Sequence, residues 1–290
     1  VIEREPRRFT KEELAPYRGG RFATPEDVGE TVEGSTLIVD SAGKPIVAYL
    51  ELDYDFDELR GLLDAHHEWD AQARSSGMVT VSLKFGKRPK TSWRFPYCSD
   101  YILERQNPRL NRALMEHADL ILPWYEHFNR ALFELHHEAV TKIHPAWSWN
   151  PVFTSGVANR DSQLPYHFDA GNFRSVWSGM FGLKENIREG ALAIPELGLA
   201  LPINDGSLTL FDGQGLLHGV TPIRRTVSGA LSRPAAKLAQ RQNAARAGRR
   251  YTIVYYGLQG MWHCLEPSAE AERAAVLRTA REARRREKNR

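Results

Sequence analysis

Apolar positions in the first half of the chain follow two different periods. Leu37-Ile-Val-Asp40 and Pro45-Ile-Val-Ala-Tyr-Leu50 flank Ser41-Ala-Gly-Lys44 and read as two short strands around a turn. Thr10-Lys-Glu-Glu13 has the residues of a capping box, so a short helix followed by loop is expected within residues 10–30. Residues 55–75 are helical in pattern, and Val79-Thr-Val-Ser-Leu83 alternates as a strand does. From Pro108 to His144, Leu110, Leu114, Leu120, Ile121, Trp124, Phe128, Leu132 and Leu135 recur at helical spacing, which predicts one or two helices packed on something larger.

After Pro145 the pattern changes. Val152–Val157, Phe173–Leu183, Ala191–Ile194, Leu199–Ile203, Ser207–Phe211, Leu216–Val220 and Tyr251–Tyr256 are short strand-like runs separated by Gly, Asp, Asn and Pro. Such punctuation predicts a β-sandwich or barrel. Glu266 to Arg290 is rich in Ala, Glu and Arg and reads as a polar helix. The expected class is α+β. A mixed helical and strand region over 1–145 packs on a β core over 146–260, with a basic insertion at 224–249 and a polar helix in 261–290.

Composition narrows the class. The 290 residues are 42% hydrophobic and 26% charged, as in ordinary globular proteins. No apolar run is long enough to cross a bilayer, and Val1 to Arg8 lacks the apolar core of a secretory signal. Cys98 and Cys264 are the only cysteines, too few to staple a chain of this size, so a reducing cytoplasm is the natural reading. The net charge of +3 is unevenly spread. Between Asp212 and Glu266 there is no carboxylate, while Arg224, Arg225, Arg233, Lys237, Arg241, Arg246, Arg249 and Arg250 lie in that stretch. The region Glu51 to Glu58 is acidic instead. This asymmetry fits a polyanionic partner or a solvated basic loop.

The chemistry is concentrated in Leu164-Pro-Tyr-His-Phe-Asp169. Residues two apart in a strand share a face, so His167 and Asp169 project together. A second imidazole would complete the 2-His-1-carboxylate triad that holds non-haem Fe(II) with three positions open, enough for a bidentate 2-oxo acid and O2. His218, after the glycine turn of Phe211-Asp-Gly-Gln-Gly215, is the expected third ligand. His66, His67, His117, His127, His136, His137 and His144 sit in helix-like or polar contexts and read as structural or exposed. A 2-oxoglutarate co-substrate also needs a cation for its distal carboxylate. On the strand candidate Arg249-Arg-Tyr-Thr-Ile-Val-Tyr-Tyr256, Arg250 and Thr252 share a face and could both reach it, leaving Arg249 outward. Arg224 or Arg225 is the alternative anchor, without a strand pattern around it.

The segment from His167 to Tyr256 resembles the TET/JBP branch of the Fe(II)/2-oxoglutarate dioxygenases. The likeness lies in His167-Phe-Asp-Ala-Gly-Asn172, Ala193-Ile-Pro-Glu-Leu-Gly198, Leu217-His-Gly-Val-Thr-Pro-Ile223 and Arg250-Tyr-Thr252. The resemblance implies a double-stranded β-helix (jelly-roll) and oxidation of the methyl of 5-methylcytosine or thymine in DNA. It implies iron on His167, Asp169 and His218, 2-oxoglutarate on Arg250 and Thr252, and base contacts from Asn172 and Tyr256. Two features depart from the family pattern. The gap from His218 to Arg250 is long, and Leu258 stands where animal TET enzymes carry a base-contacting His. Base identity therefore stays open.

A base in a duplex must be flipped or presented single-stranded, and its flanking phosphates need cations. Lys84, Lys87, Arg88, Lys90 and Arg94, interleaved with Phe85 and Trp93, could supply them, as could Arg224 and Arg225. DNA is the expected partner, with a nucleoid or host-DNA association in that case; neither a membrane nor a protein partner is predicted. The same triad would serve a hydroxylase of a small molecule or a protein side chain. A cupin-like metal-binding protein, with no role for Arg250, is the third reading.

Overall fold

The computed structural model describes residues 1–17, 20–73, 79–90, 97–225 and 248–288. In chain order the strands are β1 (Ile2–Glu3), β2 (Glu30–Thr31), β3 (Thr36–Val39), β4 (Pro45–Glu51), β5 (Asp70–Ala73), β6 (Val79–Arg88), β7 (Ser99–Asp100), β8 (Ser155–Arg160), β9 (Ser178–Glu185), β10 (Ile187–Glu189), β11 (Leu192–Ile194), β12 (Leu199–Leu201), β13 (Ser207–Phe211), β14 (Gly219–Val220), β15 (Ile223–Arg225) and β16 (Arg249–Tyr256). The α-helices are α1 (Lys11–Leu14), α2 (Asp57–Ala65), α3 (Leu103–Gln106), α4 (Pro108–Glu116), α5 (Leu122–Thr141) and α6 (Pro267–Lys288).

The chain forms two compact units, neither continuous in sequence. The first comprises Val1–Leu83, Val157–Ala170 and Trp177–Val254, and the second Lys84–Gly156, Gly171–Val176 and Tyr255–Arg290.

In the first unit a large sheet runs in the order β1-β3-β4-β13-β9-β16-β8-β6-β5, and a smaller one in the order β14-β11-β12-β2. Alternation explains how they close on one core. Ile38, Val47, Tyr49, Met180 and Phe211 of the large sheet join Leu192, Ile194, Leu199 and Leu201 of the small one in a single buried cluster. This is the double-stranded β-helix. The N-terminal residues belong to it, because β1 pairs in parallel with β3 and β2 in parallel with β12. Thr10 caps α1 as its sequence predicts, its hydroxyl accepting from the Glu13 N–H while the Glu13 carboxylate accepts from the Thr10 N–H.

The second unit is mainly helical. Asn107 caps α4, with Pro108 in the first turn where no N–H is needed. Helix α5 breaks at Asn129 (φ −151°), whose side chain accepts from the Leu132 N–H and restarts the helix. Val140, Ile143, Trp147, Phe173, Val176 and Met261 form its core together with Cys98. Cys98 and Cys264 form a disulfide across 166 residues, contrary to the expectation of reduced thiols. Their distance along the chain conceals that the segments before α3 and before α6 meet. Glu270 of α6 fastens both, accepting from the Cys98 N–H (3.2 Å) and the Leu265 N–H (2.9 Å).

Two local expectations fail. The helical pattern over 55–75 holds only for α2, and Asp70–Ala73 is an edge strand on β6. Phe85, grouped with exposed cations in the sequence, is fully buried, because β6 continues to Arg88 and turns Phe85 onto Tyr255 (5.3 Å between rings). Among the described residues no helix is long and apolar enough to cross a membrane.

Candidate metal centre

His167 and His218 face each other in an isolated antiparallel bridge, with His167 N–H donating to the His218 carbonyl (2.9 Å) and His218 N–H to the His167 carbonyl (3.1 Å). Residues directly opposed in such a pair send their side chains to one face, and the ring centroids are 4.3 Å apart. Asp169, two residues on, returns to that face, and its N–H donates to the Gly213 carbonyl (2.8 Å). The turn that brings His218 back is built by Asp212, whose carboxylate accepts from Gln214 N–H (3.1 Å) and Gly215 N–H (2.9 Å). A Cβ on Gly213 would collide with the Asp169 carboxylate, so the turn also needs the absence of a side chain there.

Asp169 Oδ1 lies 3.5 Å from His167 Nε2 and 3.8 Å from His218 Nε2, and the three residues offer donor atoms that all lie within 4.8 Å of one another. Two donors each about 2.1 Å from one ion can be at most about 4.2 Å apart, a condition both spacings meet. The tautomers also suit a cation. Nδ1 of His167 donates to the Pro165 carbonyl (2.8 Å) and Nδ1 of His218 to the Leu216 carbonyl (2.9 Å). A carbonyl offers no proton, so each ring carries a hydrogen on Nδ1, which leaves Nε2, the atom facing Asp169, as the one for a metal. Burial, then the neighbouring His167, pushes the pKa of His218 down to about 4, against the opposing pull of Asp169 and the Leu216 carbonyl. A ring held neutral does not have to release a proton before ligating. Two imidazoles with Nε2 directed at one point and one carboxylate fit a divalent transition metal with open positions.

The N-terminal arm supports this bridge. Tyr166 and Leu217, the residues before the two histidines, pack with Ala23, Ala193, Phe9, Leu14 and Tyr17. Tyr166 also donates its N–H to the Arg21 carbonyl (2.9 Å) and its hydroxyl to Asp27 (3.2 Å). Glu196 accepts from the Leu217 N–H (2.9 Å), and burial raises its pKa. Sequence reasoning left this arm unplaced, because no motif marks it.

On β16 Arg250 and Thr252 share one face, 1% and 4% exposed, while Arg249 and Tyr251 lie on the other and reach Asp64 (3.0 and 2.5 Å), Tyr251 being as buried as Arg250. The Arg250 guanidinium donates from Nη2 to the Gly190 carbonyl (3.0 Å) and from Nη1 to the Ser162 carbonyl (3.4 Å), while Nε has no partner. Burial draws its pKa down to about 10, against the field of Asp161, which accepts its backbone N–H (2.8 Å). Among the described residues the guanidinium's hydrogen bonds go only to neutral carbonyls, which leaves the buried cation able to take an anion. Thr252 accepts from Asn159 Nδ2 (3.5 Å). Asn159, Asp161 and Ser162 escaped the sequence reading, since they reach Arg250 and Thr252 from the neighbouring strand β8 and the turn after it.

The remaining candidates are more scattered. Asn172 and Tyr256 belong to the second unit; Asn172 is buried and bridges Leu258, and its carbonyl accepts from Gln259 Nε2 (2.6 Å). Lys84 and Lys90 are exposed and Arg88 is half-buried. Lys87 pairs with Asp100 (2.6 Å). Arg224 is an exposed partner of Glu189 (3.2 Å), so it is not the buried anchor. Arg225 lies in β15. Trp93, Arg94 and residues 226–247 of the basic insertion lie outside the described residues.

No protein-family model and no curated protein matches the chain. Among solved structures it is similar to NgTET1 in complex with 5mC DNA, with a TM-score of 0.55 and 13% identity over 84% of this chain and 86% of that one. A 2OG-Fe(II) oxygenase family oxidoreductase from Burkholderia pseudomallei aligns at TM-score 0.41 and 12% identity, over 73% and 85% of the two chains. OsALKBH1 aligns at 0.37 and 14%, over 74% and 97%. At 13% identity what the chain shares with NgTET1 is its fold, and the sheet order and common core described above are that fold's double-stranded β-helix.

Proposed function

We propose that the chain is an Fe(II)- and 2-oxoglutarate-dependent oxygenase that hydroxylates the methyl group of a pyrimidine base, 5-methylcytosine or thymine, in DNA. One observation carries the oxygenase assignment. Two imidazoles and a carboxylate converge within reach of a single ion, and the same unit holds a buried guanidinium whose hydrogen bonds, among the described residues, go to neutral carbonyls. A metal-binding protein without a carboxylate-bearing co-substrate would have no use for that guanidinium.

His167, Asp169 and His218 would hold the iron, whose bound chemistry couples oxidation of the 2-oxo acid to hydroxylation of a C–H bond. The protein's own work is positional. The Pro165 and Leu216 carbonyls fix the imidazoles with Nε2 forward, and Gly213 leaves room for the Asp169 carboxylate. Arg250, 1% exposed, would receive the distal carboxylate of 2-oxoglutarate, and Thr252 would offer a hydroxyl on the same face of the strand.

The DNA reading is supported by the motif His167-Phe-Asp-Ala-Gly-Asn172 and by the fold shared with NgTET1, itself solved with 5mC DNA. The resemblance assigns Asn172 and Tyr256 to the base, and Lys84 and Lys90, both exposed, are candidates for the phosphates. The test is anaerobic reconstitution with Fe(II) and 2-oxoglutarate, then O2 and methylated or unmethylated DNA, with mass spectrometry of the digested nucleosides. A hydroxymethylated pyrimidine is the expected product. Succinate formed without a modified nucleoside would retain the oxygenase and reject DNA.

A second reading, hydroxylation of a small molecule or protein side chain, is favoured by the burial of Phe85 and the ion pairs on Lys87 and Arg224, which remove candidates for a nucleic-acid surface. Salt separates the two. Phosphate contacts release counterions and weaken steeply with added salt, whereas a small substrate does not.

A further inference from the structure

The first unit has a half-open cavity of about 430 Å³, and neither the three candidate ligands nor Arg250 lines it. Its size is that of a small-molecule site. Val28, Ala200 and Pro202 give it an apolar wall, and Lys184, Asn204 and Thr221 a polar one.

The charges around it are unbalanced. Its two acids are already engaged, Glu30 by Arg4 (2.6 Å) and Glu189 by Arg224 (3.2 Å). Lys184, at the end of β9, has no such partner among the described residues. Its Nζ reaches only two neutral acceptors, the Glu189 carbonyl and Asn204 Oδ1, each at 3.5 Å, the outer limit of a hydrogen bond. The ammonium is half-buried; burial and then the charge of Arg250 lower its pKa, with Asp205 opposing. Thr221 is buried, and its oxygen accepts from the Ala191 N–H (2.9 Å), so its hydroxyl hydrogen is left to donate. A poorly solvated ammonium and a hydroxyl donor therefore line the same cavity as the apolar side chains of Val28, Ala200 and Pro202.

We propose that this cavity is a second ligand site, for a small organic monocarboxylate. The acid group would sit on Lys184 Nζ and the Thr221 hydroxyl, with its apolar body against Val28, Ala200 and Pro202. The inference does not depend on the chemistry assigned to the metal centre.

Benzoate and its neutral isostere benzamide test this on the whole chain, followed by NMR through the amide signals of Ala191 and Thr221. Benzoate should shift those signals and bind at least about tenfold more tightly than benzamide, the worth of a hydrogen bond to a charged group. Lys184→Met should abolish the preference, Lys184→Arg should keep it, and Arg250→Met should leave it intact. Equal binding of acid and amide would overturn the proposal. So would a preference surviving in Lys184→Met, or no benzoate binding up to about 10 mM. Loss of benzoate binding in Arg250→Met would place the anion at the other cation and overturn it equally.

Discussion

Arg250 is a buried cation whose polar atoms are only partly satisfied. Its Nε is buried without a partner and its two other contacts are uncharged, an arrangement that costs stability until an anion arrives. Arg250→Met is therefore expected to weaken 2-oxoglutarate binding by at least about 100-fold, the scale of losing one member of a buried charge pair. Calorimetry on the Mn(II)-loaded protein measures this, and unchanged affinity would remove Arg250 from the site. His167→Ala and Asp169→Ala should each abolish stoichiometric metal binding while the circular dichroism spectrum stays that of the wild type. Retention of tight metal binding in either variant would refute the triad. Histidine also governs acid stability. Desolvation lowers the pKa of buried His136 to about 3, and His218 lies near 4. Below the ordinary value of about 6.5 an unfolded chain takes up protons that the native one refuses, so stability falls as pH drops through that window and levels off below the native values. His136→Leu removes one such proton, and its stability should decline less steeply between pH 6 and 4, by up to about 1.4 kcal/mol per pH unit. Parallel urea midpoints in the two proteins would contradict this.

At the scale of elements, the turn from β13 to β14 sets the ligand geometry. Gly213→Ala should keep the sheet but displace the Asp169 carboxylate, lowering metal affinity about 10- to 100-fold, as removal of supporting contacts does elsewhere. Wild-type affinity in that variant would show that the turn can yield. This is also where the sequence is most and least informative. His167 and Asp169 do share a face, but the strand expected there is only an isolated bridge at His167. The faces of Arg250 and Thr252 are legible because a strand's period is two and fixes which side chains travel together. The supports of Arg250 are not, because Ser162 and Gly190 reach it from 88 and 60 residues away, through chain pairing that no local pattern encodes. Polar Asp70–Ala73 likewise becomes a strand only because β6 offers it an edge, so the pairing outweighs its own composition. The helical spacing of Leu110, Leu114 and Leu132 needs no such context, and α4 and α5 lie where it puts them.

At the scale of the whole molecule, a covalent link spans most of the chemistry. Reducing Cys98–Cys264 should lower the thermal midpoint, because a 166-residue loop is freed in the unfolded chain; loop entropy sets the ceiling at about 5 kcal/mol. A midpoint unaffected by reductant would mean that the unfolded chain is already constrained. His167, Asp169, His218, Arg250 and Thr252 all lie between the two cysteines in sequence. The oxidised polypeptide is thus topologically a ring with two tails, and one cut by a protease anywhere in that ring opens it without separating the pieces. The nicked protein should run as a single full-mass species on a non-reducing gel and as two fragments once thiol is added.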